Sequence, residues 1–105
     1  MKLYNKLSRF PLGAITAEGF LKKQMRIGKN GICGHLHELE PAMIQAPYIQ
    51  KEYVPAWGDG DQSGWGAEIS GNYWTGYIQF AFTLNDREMI DIATNWVNTM
   101  MNGAA

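Results

Sequence analysis

Six side chains around one junction in the chain have the chemistry of a ligand site. Trp57, Asp59, Trp65 and Glu68 fall in a run rich in Gly, Asp and Ser (WGDGDQSGWGAE), and Tyr73 and Trp74 follow where the sequence turns apolar. Indole and phenol rings can stack on a sugar ring, and carboxylate oxygens can accept from its hydroxyls. A polar loop bearing tryptophans, delivered onto a rigid apolar helix, is a common way to expose such groups while holding them still. Glu68 is the best single acid–base candidate, because burial beside the rings would raise its pKa. The plain alternative is a carboxylate held by the positive end of a helix. Glycoside hydrolysis needs two carboxyl groups, or one and another nucleophile, facing each other across a sugar. Glu38, Glu40, Asp59 and Asp61 are the further carboxylates on offer.

Two other patterns invite metal. Asp59-Gly60-Asp61-Gln62-Ser63-Gly64 matches the first half of an EF-hand calcium loop, but Ser70 stands at position 12 where a bidentate Glu is required. Cys33-x-His35-x-His37 places Cys33 and His37 on one helical face at i,i+4 with His35 pointing elsewhere. Two ligands are too few for zinc, and no CxxC or HExxH accompanies them. A thiol beside surface or cleft histidines is the simpler reading. No metal site is expected here, though His35 or His37 could serve as a polar contact in a cleft.

The elements that must position these groups read as helices. Residues 1–15 form an extended lead-in, with Pro11 biasing Phe10 away from helix and Gly13 marking a turn. Thr16 is the expected N-cap of an opening helix over 16–40, whose apolar positions Leu21, Met25, Gly28, Ile32, Leu36 and Leu39 recur at helical spacing. Gly28, Gly31 and Gly34 inside it call for a break near 29–31 or a close backbone approach, and one long kinked helix is the expectation. Residues 41–70, punctuated by Pro41, Pro47 and Pro55, are expected to be an irregular loop, and loops of that length are usually functional. Residues 71–102 read as a helical hairpin. Its first helix is apolar over most of its circumference and therefore buried on several sides. Tyr77, Phe80, Phe82 and Trp96 are expected in the core. Asn85-Asp86-Arg87-Glu88 fits a capping box opening an amphipathic helix with Met89, Ile90, Ala93, Trp96, Val97, Met100 and Met101 on one face. Arg87 and Asp91 are spaced to pair at i,i+4.

Composition narrows the class. With 9 basic and 10 acidic side chains and no basic run, the chain is a poor partner for nucleic acid or an anionic membrane. Its longest nearly uncharged stretch, 69–85, falls short of a membrane span. No apolar segment of signal-peptide type follows Met1, which leans towards a cytoplasmic location. One cysteine excludes an internal disulfide. The apolar content exceeds what so few helices bury easily, so the chain is expected to be an N-terminal piece of something larger.

The order of motifs resembles one family. Pro11-Leu12-Gly13-Ala14-Ile15, then Glu18 through Met25 (EGFLKKQM), then Gly31 through Glu38 (GICGHLHE) look like the opening of glycoside hydrolase family 127, the β-L-arabinofuranosidase-like group. Gly58-Asp59-Gly60, Trp65-Gly66-Ala67-Glu68 and Asn72-Tyr73-Trp74-Thr75-Gly76 resemble that family's next motifs, and Phe80–Asp86 and Ala93–Trp96 its following helices. Two residues separate Trp65 from Glu68 where the family often has Trp and Glu adjacent, and Thr75 stands in place of a usual Leu. The resemblance implies the N-terminal fragment of an (α/α)6 barrel acting on a plant-type glycan, with the rest of the barrel as partner. It implies a zinc–cysteine nucleophile site and a glutamate acid/base further along the family's chain. Cys33 matches none of those motifs, so no catalytic residue and no cofactor is carried over to this segment. Trp57, Asp59, Trp65, Glu68, Tyr73 and Trp74 would then contribute to the rim of a sugar pocket. The rival expectation is a small helical carbohydrate- or protein-binding module without catalysis.

Overall fold

A computed structural model describes residues 7–39 and 65–103, with 65–69 and 103 described by their backbone. Within these residues the protein is all-α, with four helices and no strand: α1 (Gly19–Asn30), α2 (Ile32–Leu39), α3 (Trp65–Leu84) and α4 (Arg87–Gly103).

The lead-in turns where glycine permits it. Ala14 N–H donates to Pro11 C=O at 3.0 Å, and Gly13 supplies the positive φ of 84° that the third position of such a turn needs. Ala17 N–H then donates to Thr83 C=O at 2.7 Å, which stitches the lead-in to the end of α3. This keeps the chain extended past Thr16, so Thr16 is not the N-cap. The helix opens at Gly19 behind an extended Glu18 that makes no side-chain cap bond.

The single long helix expected over 16–40 is two. Gly31 ends α1, its N–H shared between the carbonyls of Ile27 and Gly28 at 3.1 Å each. The chain then folds so tightly that a Cβ on Gly34 would lie 2.0 Å from Lys29 O, a space only glycine leaves open. Gly28 serves a different purpose: a Cβ there would meet the Phe80 ring at 3.2 Å, so it sets how closely α1 lies against α3. The break and the close approach suggested by the glycines both occur.

Of the stretch expected to be an irregular loop, 41–64 lies outside the described residues, and 65–70 is helix, because α3 begins at Trp65 rather than near 71. Trp65, Ile69, Tyr73 and Tyr77 repeat every four residues, and Ser70 is fully buried inside the helix. The glycines at 66, 71 and 76 each weaken helix propensity by about 1 kcal/mol, but packing of the surrounding apolar residues outweighs that local cost. The last six positions of the would-be calcium loop, 65–70, are helix, and its first six lie outside the described residues.

Between α3 and α4 the chain reverses through Asn85 and Asp86. Asn85 adopts φ 52°, a left-handed conformation Asn tolerates. Its N–H reaches Phe82 C=O at 3.1 Å, while Asp86 N–H reaches Ala81 C=O at 3.0 Å. This is a Schellman closure of α3. With Thr83 C=O taken by Ala17, three of the helix's four terminal carbonyls have backbone partners. Asp86 is also the N-cap of α4, its Oδ1 accepting Met89 N–H at 3.0 Å. The capping residue is thus Asp86 rather than Asn85, since Asn85 is consumed in ending α3. The expected Arg87–Asp91 pair forms at 3.0 Å on the surface.

The hairpin carries the core. Trp74, Tyr77, Ala81, Leu84, Met89 and Ala93 are buried, with Met25, Tyr73, Ile78, Phe80, Ile90, Ile92 and Trp96 packed against them. Trp74 stacks on Trp96 (centroids 4.8 Å apart, planes 14° apart), as antiparallel helices require. Coverage of α3 is one-sided: Phe80 and Phe82 are half-buried, and Val97 and Met101 of the α4 stripe are exposed. No helix among the described residues is long and apolar enough to cross a membrane.

Candidate functional site

The chemistry-bearing side chains converge where α2 lies across the N-terminal half of α3. Cys33 and His37 share one face of α2, as their i,i+4 spacing demands, and that face meets Tyr73 of α3. His37 Nδ1 lies 2.9 Å from Tyr73 Oη, and the same hydroxyl lies 3.4 Å from Cys33 C=O as donor. The imidazole is surrounded by rings: it meets Tyr77 edge-on at 5.5 Å and Trp74 at a tilt, also at 5.5 Å. Tyr73, Trp74 and Tyr77 pack mutually at 5.2–5.7 Å. Beside this cluster runs an open groove of about 270 Å³, lined by Cys33, Asn72, Tyr73, Gly76, Tyr77 and Phe80.

Burial decides the protonation of the cluster. Desolvation pushes the His37 pKa below its usual value. The Glu38 carboxylate counteracts part of that push, while His35 adds to it. His37 is therefore a neutral imidazole at pH 7, one nitrogen donating and the other accepting. Burial also raises both phenols, Tyr77 to about 12, so they stay protonated donors. Two proton arrangements satisfy the Tyr73–His37 contact. In one, Tyr73 O–H donates to Nδ1 and Nε2–H faces the Glu38 carboxylate 3.9 Å away. In the other, Nδ1–H donates to Oη, the Tyr73 O–H donates to Cys33 C=O, and the tautomer leaves a lone pair on Nε2. Either way a polar group with a fixed direction sits at the end of an aromatic groove. That arrangement can bind hydroxyls.

The structure separates the six expected site residues. Tyr73 lies in the cluster, its hydroxyl partnered by His37. Trp74 does not stand at a rim: it is 2% exposed, with Trp96 on one face and the cluster rings around it. Burying an indole beside another contributes more to a small core than displaying it would. Trp65 and Glu68 belong to the first turns of α3 rather than to a loop. Trp57 and Asp59 lie outside the described residues. His37 carries more of the site than sequence reasoning gave it, and the signal was present in its shared face with Cys33. His35 points away, as its spacing indicates, and pairs with Glu38 at 3.0 Å on the surface. Cys33 is a free, exposed thiol. Among the described residues no group of three or more His, Cys, Asp and Glu side chains could hold a metal ion.

No protein-family model, no curated protein and no solved structure matches this chain.

Proposed function

We propose that the chain is the N-terminal segment of a glycoside hydrolase resembling the β-L-arabinofuranosidase-like family 127, acting on a plant-type glycan. In this reading α3 and α4 are an inner and an outer helix of an (α/α)6 barrel, and the His37–Tyr73 end of the groove belongs to the rim of its sugar pocket. The observation that carries the reading is the directed His37–Tyr73 contact beside a ring-lined groove at the N-terminal half of an apolar helix. Small-ligand sites take this form, mostly apolar with a few fixed polar groups. The one-sided coverage of α3 supports the barrel, since its half-buried faces suit further helical hairpins. Trp57, Asp59, Trp65 and Glu68 are carried forward as rim residues, while Trp74 acts by holding Tyr73 and His37 in place. The zinc site, the cysteine nucleophile and the acid/base glutamate of that family have no counterpart here, so the 105-residue chain alone hydrolyses nothing.

Titration of the purified chain with methyl β-L-arabinofuranoside, followed by amide and imidazole chemical shifts, tests the binding half. Perturbations confined to residues around His37, Tyr73 and Gly76, and lost in Tyr73→Phe, are expected. Zinc-dependent turnover of an arabinofuranoside by the isolated chain would overturn the assignment of catalysis to sequence beyond it.

A second reading is a helical carbohydrate- or protein-binding module without catalysis. It is favoured by the α3–α4 core, in which Ala81, Met89 and Ala93 are almost fully buried. Cooperative thermal unfolding of the isolated chain supports this reading, and non-cooperative melting supports the barrel fragment.

A further inference from the structure

We infer that the far half of the groove, lined by Gly76, Tyr77 and Phe80, seats an aromatic group carried by the sugar bound at the His37–Tyr73 end, so that the ligand is an aryl-substituted glycoside. The inference deepens the sugar-pocket reading and rests on it for the glycosyl half alone. Asn72, Tyr73, Gly76, Tyr77 and Phe80 share one side of α3, and all five line the groove, with Cys33 contributed by α2. Its polar groups gather at one end: the Asn72 amide, and the Tyr73 hydroxyl on its bond to His37. Eight residues on, about 12 Å along the helix, the lining is the Phe80 ring.

Gly76 makes the seat. It stands between Tyr73 and Phe80 on that side of the helix, where any side chain would fill the gap. Gly28 and Gly34 each give way to a neighbour, Phe80 and Lys29, but a Cβ on Gly76 would meet no described atom within 4 Å. A residue that weakens the helix, and whose space no described residue takes, leaves a hollow bounded by rings. The walls are set before a ligand arrives. Tyr77 is 3% exposed, and the tip of the Phe80 ring is backed by α1 at Gly28. Fixed walls spare a ligand the cost of ordering them. An aromatic ring entering there meets other rings at its edge and face, which favours it over an alkyl chain of similar area. At about 270 Å³ the groove lies just below the roughly 300–1,000 Å³ of drug-sized ligand sites. It takes one sugar and one ring.

The test titrates the full chain with methyl, hexyl and phenyl β-L-arabinofuranoside and with phenol, followed by the amide shifts of α3. The phenyl glycoside is expected to bind at least about tenfold tighter than the methyl one, and tighter than the hexyl one. Gly76→Leu fills the hollow without displacing a described neighbour, so it should cancel the phenyl advantage and leave methyl glycoside binding in place, with helix content unchanged. Phe80→Leu removes one ring and should reduce the advantage in part. If the methyl glycoside binds and the phenyl one binds no tighter, the aromatic seat is refuted and the sugar reading stands. Equal affinity for the hexyl and phenyl glycosides, or a phenyl advantage that survives Gly76→Leu, refutes the seat as well. If phenol binds as tightly as its glycoside while the methyl glycoside does not bind, the sugar reading falls and the seat for the ring is borne out. Binding of none of the four refutes both.

Discussion

Lys29 Nζ of α1 lies 2.7 Å from Asp86 Oδ2, while the other oxygen of the same carboxylate caps α4 through Met89 N–H at 3.0 Å. One residue thus closes α3 through its backbone N–H, and with its side chain starts α4 and ties α1 to the hairpin. Both partners are partly buried, at 23% and 21% side-chain exposure, and Glu88 adds a second acceptor for Lys29 at 3.0 Å. The pair is better shielded than an ordinary surface bridge.

Asp86 should separate into two measurable parts. Asp86→Ala loses cap and ion pair together, the cap alone being worth about 1 kcal/mol. Asp86→Asn keeps a capping oxygen and loses the charge. A double-mutant cycle with Lys29→Met, read by urea unfolding, should give a coupling of about 0.5–1 kcal/mol. Burial would raise the Asp86 carboxyl, but the Lys29 hydrogen bond and the Met89 N–H together hold it below the usual range. The folded state therefore binds fewer protons than the unfolded. Its contribution is present above about pH 4 and is lost as the pH falls through the folded value. Lys29, raised first by its hydrogen bond to Asp86, contributes fully below about pH 10.5 and loses that contribution above. Asp86→Asn should flatten both arms.

His37 predicts a separate loss nearer neutrality. Its folded pKa lies below the unfolded value of about 6.5 because burial disfavours the imidazolium. Stability is full above that value and falls as the pH drops below it, since only the unfolded chain takes up the proton readily. His37→Gln should remove this step from a plot of unfolding midpoint against pH. Tyr73→Phe should cost about 1 kcal/mol through the lost hydrogen bond and move the His37 nitrogen shifts.

Glycine substitutions should split in sign. Gly34→Ala drives a methyl into Lys29 C=O and should cost at the upper end of the about 1–3 kcal/mol seen for overpacking. Gly71→Ala and Gly76→Ala meet nothing within 4 Å and should each stabilise α3 by about 0.5–1 kcal/mol. Thermal midpoints read by circular dichroism check both.

The two stacked indoles should not be equivalent. Trp74→Phe removes half of a buried stack and should be the costlier change. Trp96→Phe discards a buried indole N–H that has no acceptor among the described residues, and losing that unpaired donor offsets part of the lost packing. Denaturant midpoints of the two variants order them.

Helix type and the hairpin were legible in the residues. The apolar repeat in α4, the helical run after Gly71 and the turn at Gly13 follow from period and backbone freedom alone. What escaped was decided at a distance. Thr16 loses the cap because Ala17 is drawn to Thr83, a contact no local pattern encodes. Asn85 yields the cap to Asp86 because a two-residue connection must close one helix before it opens the next. Three glycines disguised the first turns of α3 as loop. Trp74 is a rim candidate by its place in the sequence, and its pairing with Trp96 across the hairpin puts it in the core instead. His37 shows the converse: its shared face with Cys33 was readable, but its partner Tyr73 lies 36 residues away.

The backbone bond from Ala17 to Thr83 also bears on how the protein is made. A ribosome releases the N-terminal helices several seconds before Thr83, at about 5–20 residues per second. Through that interval Met25, which packs on the hairpin core in the finished fold, emerges with those neighbours not yet synthesised. The α3–α4 hairpin, closed by contacts local in sequence, can form as soon as it leaves the exit tunnel. Nascent chains stalled before residue 83 should therefore recruit chaperones that longer ones have already shed.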